Sequence, residues 1–93
     1  MRKPRVHNLK TVNPHYYLLS TGEKTFEIRK NDRDFQVGDL LHLEEYIYVD
    51  PIRPSSGGKF TGTSMYRKIT HILDGEKWGI MPGYVVMSLS PYL

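Results

Sequence analysis

The sequence predicts an α+β fold in which one or two short helices accompany about five strands in a small, barrel-like mixed sheet. Segments rich in β-forming residues recur along the chain, turns containing Gly and Pro separate them, and helix start and stop signals occur near the N-terminus. The chain has 93 residues, of which 39% are hydrophobic and 25% charged. That composition is typical of one globular domain, which we expect to span residues 1–93.

The first two elements are a strand and a helix. Residues 5–10 contain the apolar positions of a short strand. Asn13 and Pro14 then mark a helix start, because Asn is a favourable N-cap and Pro suits the first helical turn. We expect the helix over residues 15–21, with Gly22 as the left-handed residue that ends it.

Residues 24–30 alternate between apolar and polar side chains, which predicts a second strand. Its apolar side chains, Phe26 and Ile28, are expected in the core. The opposite face carries the polar side chains of Thr25, Glu27 and Arg29. We expect this face to border a cleft.

The second half of the chain predicts three more strands, over residues 40–49, 61–73 and 84–89. Prolines, serines and glycines fill residues 50–59, so this segment is expected to be a loop, and residues 51–59 the least ordered internal part of the chain. A Gly/Pro-containing loop that begins at Trp78 precedes the last strand, and an aromatic side chain there is a candidate for stacking on a base or for core packing.

Composition excludes several classes of protein. The chain has no cysteine, which excludes disulfide scaffolds and thiolate metal sites. The basic N-terminus is not followed by the apolar run of a signal peptide, and no stretch reaches the ~20 apolar residues of a membrane span. We therefore expect a cytoplasmic protein with no membrane partner. No cofactor is expected. No metal is expected either, because the four histidines, His7, His15, His42 and His71, lack metal-ligand spacing.

Lys24, Glu27 and Arg29 are the strongest candidates for a binding site. Residues two apart on one face of a strand lie ~6.5–7 Å apart, so Glu27 and Arg29 can contact each other or one ligand between them. Lys24 precedes the strand and can reach the same space. An acceptor, a planar donor fork and a mobile cation suit a nucleobase edge or a phosphate. An exposed salt bridge on a surface strand is the alternative, and spacing alone favours it.

The residues Gly22-Glu23-Lys24-Thr25-Phe26-Glu27-Ile28-Arg29, followed by Val37-Gly38-Asp39, resemble the G-x-K-x-x-E-x-R…VGD pattern of ASCH domains, which belong to the PUA-like superfamily. Residues 25–33, 72–75 and 79–86, together with the start His7-Asn8-Leu9-Lys10, are similar to a compact, uncharacterised bacterial and phage branch of that group. The resemblance extends over nearly the whole chain.

This resemblance implies a small PUA-like β-barrel whose cleft, between barrel and helix, binds RNA or a modified nucleoside. His7 lies within the matching start and is a further candidate for the cleft, as is Trp78. Some ASCH proteins resemble enzymes that hydrolyse the amide of N4-acetylcytidine with a lysine at the position of Lys24. If this chain were such an enzyme, its catalytic residues would be Lys24 and Glu27, although those enzymes look to use threonine where Glu27 stands. A protein-interaction module that uses the loop after Tyr48 is a third interpretation, and the oligomeric state stays open.

Overall fold

The computed structural model of the chain describes residues 2–92. One helix and five strands make up the fold: β1 (Val6–Thr11), α1 (His15–Thr21), β2 (Phe26–Lys30), β3 (Leu40–Tyr48), β4 (Gly58–Asp74) and β5 (Tyr84–Pro91). The strands form a single sheet in the order β1-β3-β4-β5-β2, in which β1 and β3 are parallel and all other neighbours are antiparallel. The predicted combination of five strands and one short helix is confirmed.

The sheet curls until its two edge strands face each other. The side chain of Arg29 on β2 donates from Nη2 to the Lys10 carbonyl oxygen of β1 at 3.0 Å, and Arg33 donates from Nη1 to the Asn8 carbonyl oxygen at 2.7 Å. β4 supports the curl because its pairing shifts register once against β3 and once against β5, and such irregularities bend strands. Two arginines thus bridge the gap between β1 and β2, which we call the seam.

The hydrophobic core lies inside the curl. Its members come from every strand except β2, from α1 and from the loop before β3: Leu9, Leu19, Phe35, Leu41, Leu43, Ile69, Val85, Met87 and Leu89. Helix α1 is fastened to the sheet by Arg67 of β4, which donates from Nη2 to the carbonyl oxygen of Leu19 at 3.0 Å. Because this carbonyl belongs to the last turn of the helix, the contact also satisfies a group without an intrahelical partner.

β2 has the predicted alternation, but its faces are reversed. Glu27 is only 4% exposed and pairs in register with the buried Met87, so its side chain points to the interior. Phe26 and Ile28 are 42% and 43% exposed, and the prediction that they lie in the core is wrong. At this edge of the sheet Glu27 lies at the seam, where its carboxylate pairs with Lys24 and Arg29 of its own segment.

The helix has the predicted bounds, and Gly22 ends it in the left-handed conformation with φ of 83°. The prediction that Asn13 is the N-cap is wrong, because Pro14 occupies that position and its side chain makes no capping hydrogen bond. Asn13 Oδ1 instead accepts a hydrogen bond from the backbone N–H of Tyr17 at 2.9 Å. The predicted loop 50–59 is too long, since β4 begins at Gly58 and pairs with the end of β3.

Two short 3-10 helices, Pro54–Ser56 and Gly75–Trp78, complete the secondary structure. Within residues 2–92, no helix has both the length and the apolar character that crossing a membrane requires.

Candidate functional site

A cleft of about 790 Å³ opens at one end of the seam. This volume lies within the range of small-molecule sites in proteins. The end of β1, helix α1, strand β2 and the end of β3 form its walls, and the side chains or backbone of these residues line it: Lys10, Thr11, Val12, His15, Leu18, Glu23, Lys24, Phe26, Glu27, Ile28, Arg29 and Tyr48.

The polar centre of the cleft is the carboxylate of Glu27. Its Oε1 accepts from Lys24 Nζ at 3.2 Å, and its Oε2 accepts from Arg29 Nε at 2.8 Å. Arg29 is held in turn by the hydrogen bond from Nη2 to the carbonyl oxygen of Lys10. The structure therefore brings Lys24, Glu27 and Arg29 into one cluster, which we call the ion-pair cluster.

His15 joins the ion-pair cluster from the first turn of α1. Its Nδ1 lies 3.1 Å from Lys24 Nζ. An ammonium group can only donate hydrogen bonds, so His15 accepts through an unprotonated Nδ1 in this arrangement. His15, Lys24 and Glu27 thus form a continuous hydrogen-bonded row along the floor of the cleft.

Apolar side chains surround this polar floor. Val12 and Leu18 contribute from the segment around α1, and Ile28 and Tyr48 from β2 and β3. Phe26 lies beside the cation, with its ring centroid 5.2 Å from Lys24 Nζ. Within apolar surroundings an ion pair or a hydrogen bond is stronger than in water, and an unpaired charge is correspondingly costly.

Three predicted site residues lie outside the cleft. Thr25 is exposed, and its backbone carbonyl accepts from the N–H of Leu89 at 2.9 Å. Trp78 is 69% exposed at the end of a 3-10 helix, so it neither lines the cleft nor packs in the core. Thr25 lies between two residues that line the cleft, Lys24 and Phe26, whereas Trp78 lies between β4 and β5.

His7 is buried beside Asp39, away from the cleft, and has a structural environment. Its Nε2 lies 2.8 Å from Asp39 Oδ2, and its ring meets the ring of Phe35 edge-on at 4.7 Å between centroids. The parallel pairing of β1 with β3 places His7 opposite Leu41, next to the loop that carries Asp39. The role of His7 is therefore to fix the start of β1.

The Asp39 carboxylate accepts hydrogen bonds from several directions. Its oxygens receive the guanidinium of Arg2, the ring of His7 and the backbone N–H groups of Arg5 and Gln36. Burial by itself would raise the pKa of this carboxyl group, but the four hydrogen-bonding partners outweigh it and hold the pKa well below the usual range of an aspartate.

Sequence reasoning missed His15, Lys10 and Tyr48 as residues of the cleft. They come from α1, β1 and β3, and only the curl of the sheet brings these elements next to β2. Across residues 2–92, no three His, Asp or Glu side chains converge in a way that could hold a metal ion.

These features define a small α+β domain whose curled sheet holds a buried carboxylate between two cations at an open seam. The chain belongs to the family described as Domain of unknown function (DUF3850), whose model matches residues 6–89. It is also similar to an uncharacterized 12.9 kDa protein in the GpA 3' region of Escherichia phage P2, at 30% identity over 83 residues. That match covers 89% of this chain and 66% of the phage protein, so the chain spans just under two thirds of the length of this relative.

Proposed function

We propose that the chain is a cytoplasmic binding module of the ASCH/PUA-like type, whose cleft holds the nucleobase of a nucleoside or of an RNA strand. The observation that carries the proposal is the ion-pair cluster on the floor of an apolar-walled cleft. The match between the residues of this cluster and the ASCH pattern supports it further.

The chemistry of the floor suits the edge of a planar heterocycle. A carboxylate has about four acceptor sites, and Glu27 uses two of them for Lys24 and Arg29. The remaining sites can accept from the amino or imino N–H groups of a base. Lys24 keeps one further donor beyond His15 and Glu27, which can meet a ring nitrogen or a carbonyl oxygen.

The walls suit the faces of the same heterocycle. Aromatic and branched side chains offer contact area for a flat ring, and stacking on an aromatic side chain contributes ~1–3 kcal/mol per base. Phe26 and Tyr48 are the aromatic side chains of the cleft. The exposure of Phe26, which is unfavourable on an isolated surface, is explained if a ligand covers it.

Calorimetric titration with the four common ribonucleosides, N4-acetylcytidine and a short single-stranded RNA tests the proposal. Glu27→Gln keeps the shape of the side chain and removes the charge, so we expect binding to weaken by at least tenfold, or ~1.4 kcal/mol. Glu76→Gln is the matched control, because Glu76 is exposed on the second 3-10 helix, outside the cleft. No binding of any of these compounds to the parent chain, or equal weakening by both variants, would reject the proposal.

Hydrolysis of a nucleoside amide such as N4-acetylcytidine is the second candidate. The hydrogen-bonded row of His15, Lys24 and Glu27 favours it, because such a row can move a proton from an attacking water to the departing amine. Water would add to the acetyl carbonyl carbon, the bond to N4 would break, and acetate and cytidine would leave. Release of acetate by the parent, abolished in Glu27→Gln while binding persists, would establish this activity. Thr25 does not line the cleft, and this scheme does not use it.

A further inference from the structure

A second, smaller pocket of about 290 Å³ continues the seam on the other side of Arg29. It shares Ile28 and Arg29 with the cleft, so the two spaces are neighbours along one groove. The guanidinium of Arg29 is held between them by its bonds to Glu27 and to the Lys10 carbonyl oxygen. A ligand that fills both spaces would therefore pass over Arg29.

The charge of the second pocket differs from that of the cleft. Three cations line it, Arg29, Lys30 and Arg33, against the single carboxylate of Asp32. Among the described residues 2–92, neither Lys30 nor Arg33 forms an ion pair with a carboxylate. In the cleft, by contrast, Lys24 and Arg29 are paired with Glu27, and among the described residues only Lys10 of its cations lacks a carboxylate partner.

Arg33 is held in position without losing its capacity to bind. Nη1 donates to the Asn8 carbonyl oxygen at 2.7 Å, which uses one of five guanidinium donors. An arginine that is fixed in this way and lacks an acidic partner is suited to a phosphate, because its planar fork donates two hydrogen bonds to one anion. Lys30 is exposed and can add a mobile charge.

We propose that the second pocket is a phosphate subsite, formed by Arg33 and Lys30, and that the ligand of the seam is a phosphate-bearing nucleotide unit. This inference rests on the proposed function, because it takes the base to lie in the cleft. The phosphate belongs either to a free nucleotide or to the backbone of an RNA strand.

Titration of the parent chain with each ribonucleoside and with its 3'- and 5'-monophosphate tests the subsite. We expect one monophosphate series to bind at least tenfold more tightly than the nucleosides. Arg33→Gln should reduce this advantage to threefold or less and leave nucleoside affinity within twofold of the parent. Arg53→Gln is the matched control, because Arg53 is exposed in the loop between β3 and β4 and lines neither pocket.

Lys30→Gln is a second variant, since Arg33 also contacts β1 and its loss can disturb the seam. It should lower monophosphate affinity severalfold with nucleoside affinity unchanged. A short RNA that binds at least tenfold more tightly than the better monophosphate, with a steep salt dependence that Arg33→Gln reduces, would identify the phosphate as part of a strand. Equal affinity of RNA and monophosphate would identify a free nucleotide.

The outcomes separate the two proposals. Nucleosides that bind as well as their monophosphates would overturn the subsite and leave the cleft proposal standing. Failure of nucleosides, nucleotides and RNA alike would overturn both. Equal weakening of monophosphate binding by Arg33→Gln and Arg53→Gln would also overturn the subsite. The phosphate would then be attracted only by the net charge of +3 and not by a particular arginine.

Discussion

Replacing Asp39 with asparagine tests whether the start of β1 is held by the hydrogen bonds of this carboxylate. Asp39 is 1% exposed. Its Oδ1 accepts from Arg2 Nη1 and the Arg5 N–H, and its Oδ2 accepts from Arg2 Nη2, His7 Nε2 and the Gln36 N–H. In asparagine one of these oxygens becomes an amide nitrogen, so at least two donors would face another donor.

The magnitude follows from the donors that lose their acceptor. A buried donor without a partner costs ~1–3 kcal/mol, and the backbone N–H of Arg5 or of Gln36, whose hydrogen bond to Asp39 is partly buried, loses its acceptor. Arg2 is only partly buried, with a side chain 27% exposed, so water can replace part of its loss. We expect Asp39→Asn to lower the free energy of unfolding by about 2–4 kcal/mol, or the melting temperature by roughly 10–25 °C.

The stabilisation that Asp39 provides is expected to depend on pH. Because the pKa of Asp39 is lower in the folded chain than in the unfolded chain, its ionisation stabilises the fold above the unfolded value of ~3.9. This contribution is fully present above about pH 5 and is lost as the pH falls through ~3.9 towards the folded pKa. The difference in the free energy of unfolding between the parent and Asp39→Asn should therefore become smaller as the pH falls.

Urea denaturation followed by circular dichroism, at neutral pH and at several acid pH values, measures these differences. Asp34→Asn is the control, because the Asp34 side chain is 64% exposed and lies 3.9 Å from the same Arg2. It should change stability by less than ~1 kcal/mol. Equal effects of the two variants, or an Asp39→Asn effect that does not change with pH, would refute the reasoning.

Three further predictions concern the cleft and the surface. Arg29→Lys keeps the charge and loses the planar fork that joins Glu27 to β1, so nucleoside affinity measured by calorimetry should fall by about tenfold and the melting temperature should move little. Trp78→Ala should leave binding unchanged and alter stability by less than ~1 kcal/mol, because Trp78 is exposed and outside the cleft. Amide exchange should be fastest, among internal segments, in residues 51–57, and protection there as strong as in β3 would contradict this.

Local sequence patterns were sufficient for most elements of the fold. The bounds of α1 were predicted from Pro14 before the helix and from Gly22 after it, and Gly22 ends the helix in the left-handed conformation because a residue without Cβ adopts it without strain. Alternation and β-propensity located all five strands to within a few residues. The length of β4 was underestimated, since its first residues, Gly58 and Lys59, have the composition of a loop and are ordered as a strand by pairing with β3.

The reversal of β2 could not be predicted from alternation. A period of two separates the faces of a strand but does not say which face meets the core. In most strands the apolar face turns inward, yet β2 is an edge strand, and its inner side meets the seam. Sequence reasoning identified the ion-pair cluster correctly as a set of neighbours, and missed His15 because nothing local links the first turn of α1 to Lys24.

Two carboxylates are buried among residues 2–92, Asp39 and Glu27, and their hydrogen bonding differs. Asp39 accepts five hydrogen bonds from described residues, which saturates its acceptor sites. Glu27 is 4% exposed but accepts only two, and it lines a cleft of about 790 Å³. Burial of a charge costs free energy that apolar side chains of similar volume would avoid. The incompletely used carboxylate of Glu27 is therefore consistent with the proposal that a donor-bearing ligand binds in the cleft.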